Sequence, residues 1–196
     1  MGMERLMDPS HINWIKSTGP DSDIVISSRI RLARNLSNVP FPHLLSKTQS
    51  QDIISDVQRA LDDYPDLSLE SKLYVMGELA GEEKILLSEL HLISPAMVES
   101  EKGAVIINGD ESVGIMINEE DHLRIQTMFS GLDPMEAYEL ASRLDDVLEE
   151  QLDFAFDEKI GYLTACPTNV GTGLRASVML HLPVLTMIDQ VGPMLS

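Results

Sequence analysis

A single cysteine, Cys166, stands in 196 residues, so no internal disulfide framework is possible and a reducing interior is the natural compartment. Aromatic residues make up only 5%, which leaves the core to aliphatic side chains and the 11 methionines. Basic residues are scarce: 14 Lys and Arg face 32 Asp and Glu, a formal net charge of -18. Such a chain repels nucleic acid and anionic membrane at long range. Met1 to Lys16 lacks the apolar stretch of a signal peptide, and no run approaches the ~18 apolar residues that span a bilayer. The expected location is therefore cytoplasmic. The Gly-x-x-x-x-Gly-Lys-Ser/Thr loop is missing, and so is a Gly-rich loop with a downstream His-Arg-Asp. That excludes P-loop enzymes and the common protein-kinase fold. There is no internal repeat and no Gly/Ser linker, which predicts one domain, with 1–23 as a lead-in segment anchored by Ile12, Trp14 and Ile15.

What remains is mixed in type. Ile24 to Asn35 starts β-branched and alternates. In a strand, Ser28, Ile30 and Leu32 share one face, while Arg29 and Arg31 share the other. Thr48 to Asp63 predicts a helix, opened by a Thr48/Gln51 capping box and striped by Ile53, Ile54, Val57, Ala60 and Leu61. Leu73 to Met76 reads as a short strand and Glu82 to Leu90 as a helix. Ala104 to Asn108 and Val113 to Ile117 form a hairpin about Gly109–Ser112, and Leu123 to Met128 is a third strand. Asp133, Pro134 and Glu136 open a long helix whose buried stripe is Met135, Tyr138, Ala141, Leu144, Leu148 and Leu152. Tyr162 to Thr164 is a strand end, Thr168 to Gly173 a turn, and Arg175 to His181 a strand; one helix runs from Pro183 toward the end. Strands joined by short turns, with two long helices, predict an α+β fold with a mainly antiparallel sheet flanked by helices.

Eight arginines are present, and Arg29, Arg31 and Arg34 fall within six residues. One reading is a set of surface salt bridges to the many carboxylates. The other is a local anion site, on which four arginines could converge: Arg29 and Arg31 from one strand face, Arg124 after the carboxylate-rich turn and Arg175 after the Gly-rich turn. Arginine suits phosphate because its planar fork donates two parallel hydrogen bonds and stays charged. Beside Arg124 lies the acidic run Glu119-Glu120-Asp121. A guanidinium stays protonated well above pH 12. An enzyme that phosphorylates one needs carboxylates to orient it and take a proton, and cations to neutralise the phosphoryl group. Cys166 reads either as a small buried hydrophobe or as a thiolate beside a guanidinium. His91, His122 and His181 show no metal-ligand spacing.

Three segments carry a resemblance: Ser27-Ser28-Arg29-Ile30-Arg31, Asn118-Glu119-Glu120-Asp121-His122-Leu123-Arg124, and Cys166-Pro167-Thr168-Asn169-Val170-Gly171-Thr172-Gly173-Leu174-Arg175-Ala176-Ser177. In that order they resemble the signatures of the phosphagen (guanidino) kinases. Only 26 residues precede Ser27, and His91-Leu92-Ile93-Ser94-Pro95 follows later. In these respects the chain is most similar to the bacterial branch that phosphorylates arginine side chains in proteins.

The resemblance implies that ATP is bound by Ser27, Ser28, Arg29, Ile30, Arg31, His91, Arg124, Arg175, Ala176, Ser177, Val178 and Met179. It implies that Glu120, with Glu119 beside it, deprotonates the guanidino group, and that Cys166 helps place it. Mg²⁺ is expected on phosphates and water, with no protein metal ligand. Expected partners are proteins with exposed arginine, an activator protein and Clp-type protease machinery, with a homodimer as a further expectation and no nucleic acid or membrane. The family's catalytic domain continues into an Arg-Gly-x-x-Gly-Glu segment, and its protein-directed branch adds a phosphoarginine-binding domain. Neither lies in this sequence, so residues 24–196 are expected to be a catalytic domain incomplete at its C-terminus and inactive, or nearly so, alone. The alternatives are a kinase for free arginine or another small guanidine, separated by assaying free arginine against a protein, and a non-catalytic fragment, which would bind nucleotide without turnover.

Overall fold

The computed structural model describes residues 12–62 and 71–195. In chain order they form β1 (Val25–Arg34), α1 (Lys47–Asp62), β2 (Lys72–Val75), α2 (Gly81–Glu89), α3 (Pro95–Val98), β3 (Ala104–Ile107), β4 (Val113–Ile117) and β5 (Leu123–Ser130). Then follow α4 (Pro134–Gln151), β6 (Phe156–Asp157), β7 (Gly161–Tyr162), β8 (Leu174–Leu180), α5 (Pro183–Met187) and α6 (Val191–Leu195). Six strands make one sheet in the order β2-β3-β4-β5-β1-β8, every neighbour antiparallel. β6 and β7 form a separate ribbon. The α+β architecture read from the sequence is the one observed.

Strand alternation builds two different surfaces on this sheet. Ile30, Leu32, Ile106, Ile115, Ile117 and Ile125 face α1 and α4 and join the main core. Val105, Ile107 and Met116 face the other way, onto Leu87, Leu92, Ile93 and Met97 of the α2–α3 region. This second layer is built on β2, β3 and β4. Toward β5, cover on the same side comes from Ile12 and Trp14, which pack on Met128. The side chains of β8 are exposed or half-buried. A sheet face without an apolar lid can hold charge, and this is where the arginines lie.

Some local expectations shift. The capping box at the start of α1 is Ser46/Gln49 rather than Thr48/Gln51: Gln49 Oε1 accepts from the Ser46 amide, and Ser46 Oγ accepts from the Gln49 amide. The α1 stripe itself is buried as read; Asp63, its expected end, lies outside the described residues. In α4, Asp133 caps Glu136 as expected, but Met135 and Tyr138 are exposed. The buried positions are Ala137, Ala141, Leu144, Asp145 and Leu148. A helix turns about 100° per residue, so Met135 sits opposite the Ala137 stripe and Tyr138 a quarter-turn from it. The single helix expected from Pro183 is two short ones, interrupted near Asp189, whose φ of 53° is left-handed.

Candidate active site

Arg29 and Arg31 project from the same face of β1, as the alternation demands. The register adds their neighbours: Arg31 lies directly across from Arg175 on β8 and from Gln126 on β5, and Arg29 across from Ser177 and Met128. Arg124, two residues before Gln126, shares this face. The Arg29 Nε–H donates to Ser177 Oγ at 3.2 Å. One carboxylate answers the cluster directly, with Arg124 Nη1 3.0 Å from Glu119 Oε2. The electrostatics record the imbalance. Burial, then Arg29, Arg124 and Arg175, push the Arg31 guanidinium down to about 10, with Glu119 pulling the other way. Burial, then Arg124 and Arg175, lower Arg29. The Arg31 Nε is buried without a hydrogen-bond partner. Half-buried arginines crowded together are a receptor for a polyanion.

The acidic run sits on the tight turn between β4 and β5. Asn118 takes a φ of 57°, and its amide donates to His122 O at 2.9 Å. The three carboxylates of the turn have different environments. Glu119 is 8% exposed and accepts from both Arg124 and Ser94, the latter at 2.6 Å. Asp121 is buried, and its Oδ1 accepts from Asn35 Nδ2 at 2.5 Å and from the Ala165 amide at 2.7 Å. Glu120 is exposed, and burial of part of its surface, then Asp121 and Glu119, raise its carboxyl above the usual range. Next in line, His122 is fully buried, with Nδ1 accepting from the Leu36 amide and Nε2–H donating to Pro40 O. Burial is the main cause of its lowered pKa. Asn35 Oδ1 accepts from the His122 amide, tying the turn to the end of β1.

Asp121 links this turn to the segment after β7. Ala165 precedes Cys166, whose carbonyl accepts from Thr164 Oγ1 and the Asn169 amide. Cys166 is half-buried rather than a sealed hydrophobe, with Sγ 2.9 Å from Thr168 Oγ1. The following turn presses against β1 at Gly173, whose carbonyl accepts from the Ala33 amide at 2.9 Å. A Cβ there would lie 2.5 Å from Ala33 O and from Arg34 Nη1, at a φ of 64°. Gly173→Ala is expected to cost about 1–3 kcal/mol, read as an earlier denaturation midpoint; an unchanged midpoint would show that the turn can move away.

One cleft brings together Arg31, Arg124 and Arg175 with Glu119, Glu120 and Asn169. The sequence-predicted residues fall into three groups around it. Ser27, Ser177 and Met179 share the arginine face with Arg29. Ser28, Ile30, Ala176 and Val178 are on the opposite face by alternation. Ser28 Oγ bonds Gly131 O and the Asp133 amide, and Ile30 is core. These four offer the arginine face only backbone. His91 lies at the margin of this face, its ring 5.6 Å from that of Trp14 and its carbonyl accepting from Gln126 Nε2, the residue across from Arg31. Arg34, grouped in the sequence with Arg29 and Arg31, does not join them. It pairs with Asp145 at 2.6 Å, lies 3.6 Å from the Tyr162 ring centroid and donates to Thr172 O. Residues the sequence reading missed are Asn35, Ser94, Asp121 and Asn169. Asp121 and Asn169 stood inside the motif segments and Ser94 has an N-cap position before Pro95, but the bonds from Asn35 to Asp121 and from Ser94 to Glu119 span 86 and 25 residues, too far for local patterns to reveal.

The family model described as ATP:guanido phosphotransferase, C-terminal catalytic domain, matches residues 52–196. A protein-arginine kinase of Moorella thermoacetica is 53% identical over 187 residues, covering 93% of this chain and 53% of its own. One from Halalkalibacterium halodurans is 50% identical over 196 residues, covering 100% of this chain and 55% of its own. The chain thus spans about half the length of the curated relatives it matches. Among solved structures, lombricine kinase matches with TM-score 0.73 at 26% identity, over 92% of this chain and 53% of that one. The substrate-free duplicated taurocyamine kinase of Schistosoma mansoni matches with TM-score 0.72 at 29% identity, over 84% and 25%. With the family model covering most of its length, the chain belongs to the ATP:guanido phosphotransferase family.

Proposed function

We propose that this chain carries the phosphate clamp and the guanidine-facing carboxylate of an ATP-dependent kinase for arginine side chains in proteins. The observation that carries this reading is the meeting of Arg31, Arg124 and Arg175 with Glu119 and Glu120 in one cleft. The buried Arg31 Nε–H, with no acceptor in the protein, fits a phosphate oxygen. Arg29, Arg31, Arg124 and Arg175 hold the triphosphate and spread the charge of the transferring group. Ser177 steadies Arg29 through its 3.2 Å hydrogen bond. Ser27 and Met179 share this surface, Ser28, Ile30, Ala176 and Val178 contribute backbone, and His91 borders the nucleotide. Among the described residues no group of three or more His, Cys, Asp or Glu is placed to hold a metal ion. Mg²⁺ carried on the phosphates would add neutralising charge there.

Glu120 takes the proton. The guanidino nitrogen forms a bond to the γ-phosphorus, the bond to the β–γ bridging oxygen breaks, ADP leaves, and the released N–H proton passes to the Glu120 carboxylate. Cys166 abuts the substrate group from the 165–169 turn, which Asp121 ties to the acidic turn. Only ionised Glu120 accepts a proton, so activity rises with pH through its pKa. Because that pKa is raised, the acid limb of kcat/KM is expected above the ordinary glutamate range.

The test is phosphotransfer from Mg-ATP to a basic protein, by this chain alone, expected to turn over little, and by this chain extended with the remaining segment of a curated relative, with free arginine alongside and acid-labile phosphate as readout. Glu120→Gln is expected to lose roughly 10²-fold or more. Full activity in that variant would remove Glu120 as base, and preference for free arginine would favour a small-guanidine kinase.

We assign residues 24–196 to the catalytic domain, with the preceding residues as a lead-in. We place the protein in the cytoplasm; among the described residues no helix is long and apolar enough to cross a membrane. An activator protein, Clp-type protease machinery and a second copy at the free edge of β8 are its proposed partners; a clean monomer by light scattering would remove the last.

A further inference from the structure

Ser94 stands immediately before α3, and its hydroxyl makes two bonds whose directions their partners dictate. The Met97 amide can only donate, so Oγ accepts from it at 3.2 Å. The Glu119 carboxylate can only accept when ionised, so the Ser94 O–H points at Oε1, 2.6 Å away. The other carboxylate oxygen, Oε2, is taken by Arg124 Nη1 at 3.0 Å. Ser94, Glu119 and Arg124 therefore form one continuous chain from a loop into the arginine face. The start of that chain is rigid, because Met97, three residues on, is fully buried in the second core. The far side of Glu119 is open: Ala96, Ser100, Asn118, Glu119 and Glu120 line a groove of about 380 Å³. Without the Ser94 bond, the Glu119 side chain has room to swing out and leave Arg124 unheld.

We propose that Ser94 is a positioning residue of the phosphate clamp: it locks Glu119 in the conformation that fixes Arg124, and so leaves Glu120 as the carboxylate free to take the guanidino proton. The proposal rests on the nucleotide reading of the arginine cluster. It separates the adjacent glutamates by their partners. Glu119 has both oxygens engaged, and it serves as the fixed counter-charge of the cluster.

Three substitutions separate positioning from capping. Ser94→Ala removes both the cap and the donor. Ser94→Thr keeps both. Ser94→Asp keeps a cap acceptor but sets a like charge against Glu119. Calorimetric titration with Mg-ADP and with inorganic tripolyphosphate is expected to show binding about tenfold weaker in Ser94→Ala, near parental in Ser94→Thr, and weak in Ser94→Asp despite a parental melting temperature. Parental affinity in Ser94→Ala overturns the proposal. So does parental affinity in Ser94→Asp, which would reduce Ser94 to a helix cap. NMR of the Arg124 guanidinium supplies a readout independent of nucleotide: its rotation is expected to quicken in Ser94→Ala and to stay slow in Ser94→Thr. If neither probe binds the parent chain, the nucleotide reading falls, while unchanged Arg124 rotation in Ser94→Ala refutes the positioning role on its own.

Discussion

Arg31→Gln will bind Mg-ATP roughly 10- to 100-fold more weakly than the parent chain, the loss expected for one charge-assisted phosphate contact, and yet will unfold at a slightly higher temperature without nucleotide. Both effects come from one fact. The Arg31 guanidinium is pushed down to about 10 by burial and by Arg29, Arg124 and Arg175. A lowered folded-state value means that folding disfavours the charged form. The penalty is fully present at any pH below about 10, neutrality included; it fades as pH rises through that value and is gone once the unfolded chain also loses its proton. Removing the charge relieves it, and half-exposure keeps the gain to about 1–2 °C. A bound triphosphate relieves the same penalty, so nucleotide should stabilise the parent more than the variant. Calorimetric titration and thermal melts, with and without Mg-ATP, check all three points. Unchanged affinity would take Arg31 out of the clamp. A large fall in melting temperature without nucleotide would make its role structural.

Asp145→Ala has the largest expected effect on stability, about 3–5 kcal/mol. Arg34 is 4% exposed and 2.6 Å from Asp145. Burial pushes the Asp145 carboxyl up, while its bond to Arg34 pulls it down. The alanine variant strands a buried guanidinium whose remaining partners are the carbonyls of Ala33 and Thr172 and the Tyr162 ring. For a chain of this size that is a melting temperature roughly 10 °C lower or more. Replacing the pair together, as Arg34→Met with Asp145→Leu, should recover most of the loss, because no charge is left unpaired. Denaturant unfolding of the two variants decides it. A single variant as stable as the parent would mean that Arg34 finds another anion or water. Since Arg34 also holds the Thr172 carbonyl, the alanine variant should lose nucleotide affinity as the Gly173 turn loosens ahead of Arg175.

The strands that carry the site were legible because alternation is local: Ile30 and Leu32 inward and Arg29 and Arg31 outward follow from a period of two, and the sheet keeps that order. The same rule, applied to Arg175 through Met179, would have divided that stretch; treating it as one lining segment ignored that Ala176 and Val178 point the other way. For Arg34 the salt-bridge reading holds. Proximity in sequence suggested a shared anion, whereas its carboxylate is Asp145, 111 residues further along the chain. The engagement of Asp121 was hidden in the same manner, because Asn35 and Ala165 reach it from both directions. In α4 the apolar residues offered two adjacent stripes, and the small Ala137, fully buried, won over Met135. Acidic residues in a row gave no hint that one would be buried, one paired and one free.

Trp14 is the only tryptophan in the chain, and it is 6% exposed beneath His91. Its indole sits where the lead-in segment docks on Met128 and Ile26, on the side of the sheet that carries Arg29. The protein thus has a built-in optical probe at a chosen place. Emission from this indole will be blue-shifted while the lead-in is seated and will move to the red as Ile12 to Ile15 lift away. Tyrosine signals report from elsewhere, including Tyr74 in the second core and Tyr162 against Arg34. Detachment of the lead-in and collapse of the body can therefore be followed by colour in one sample, without a label.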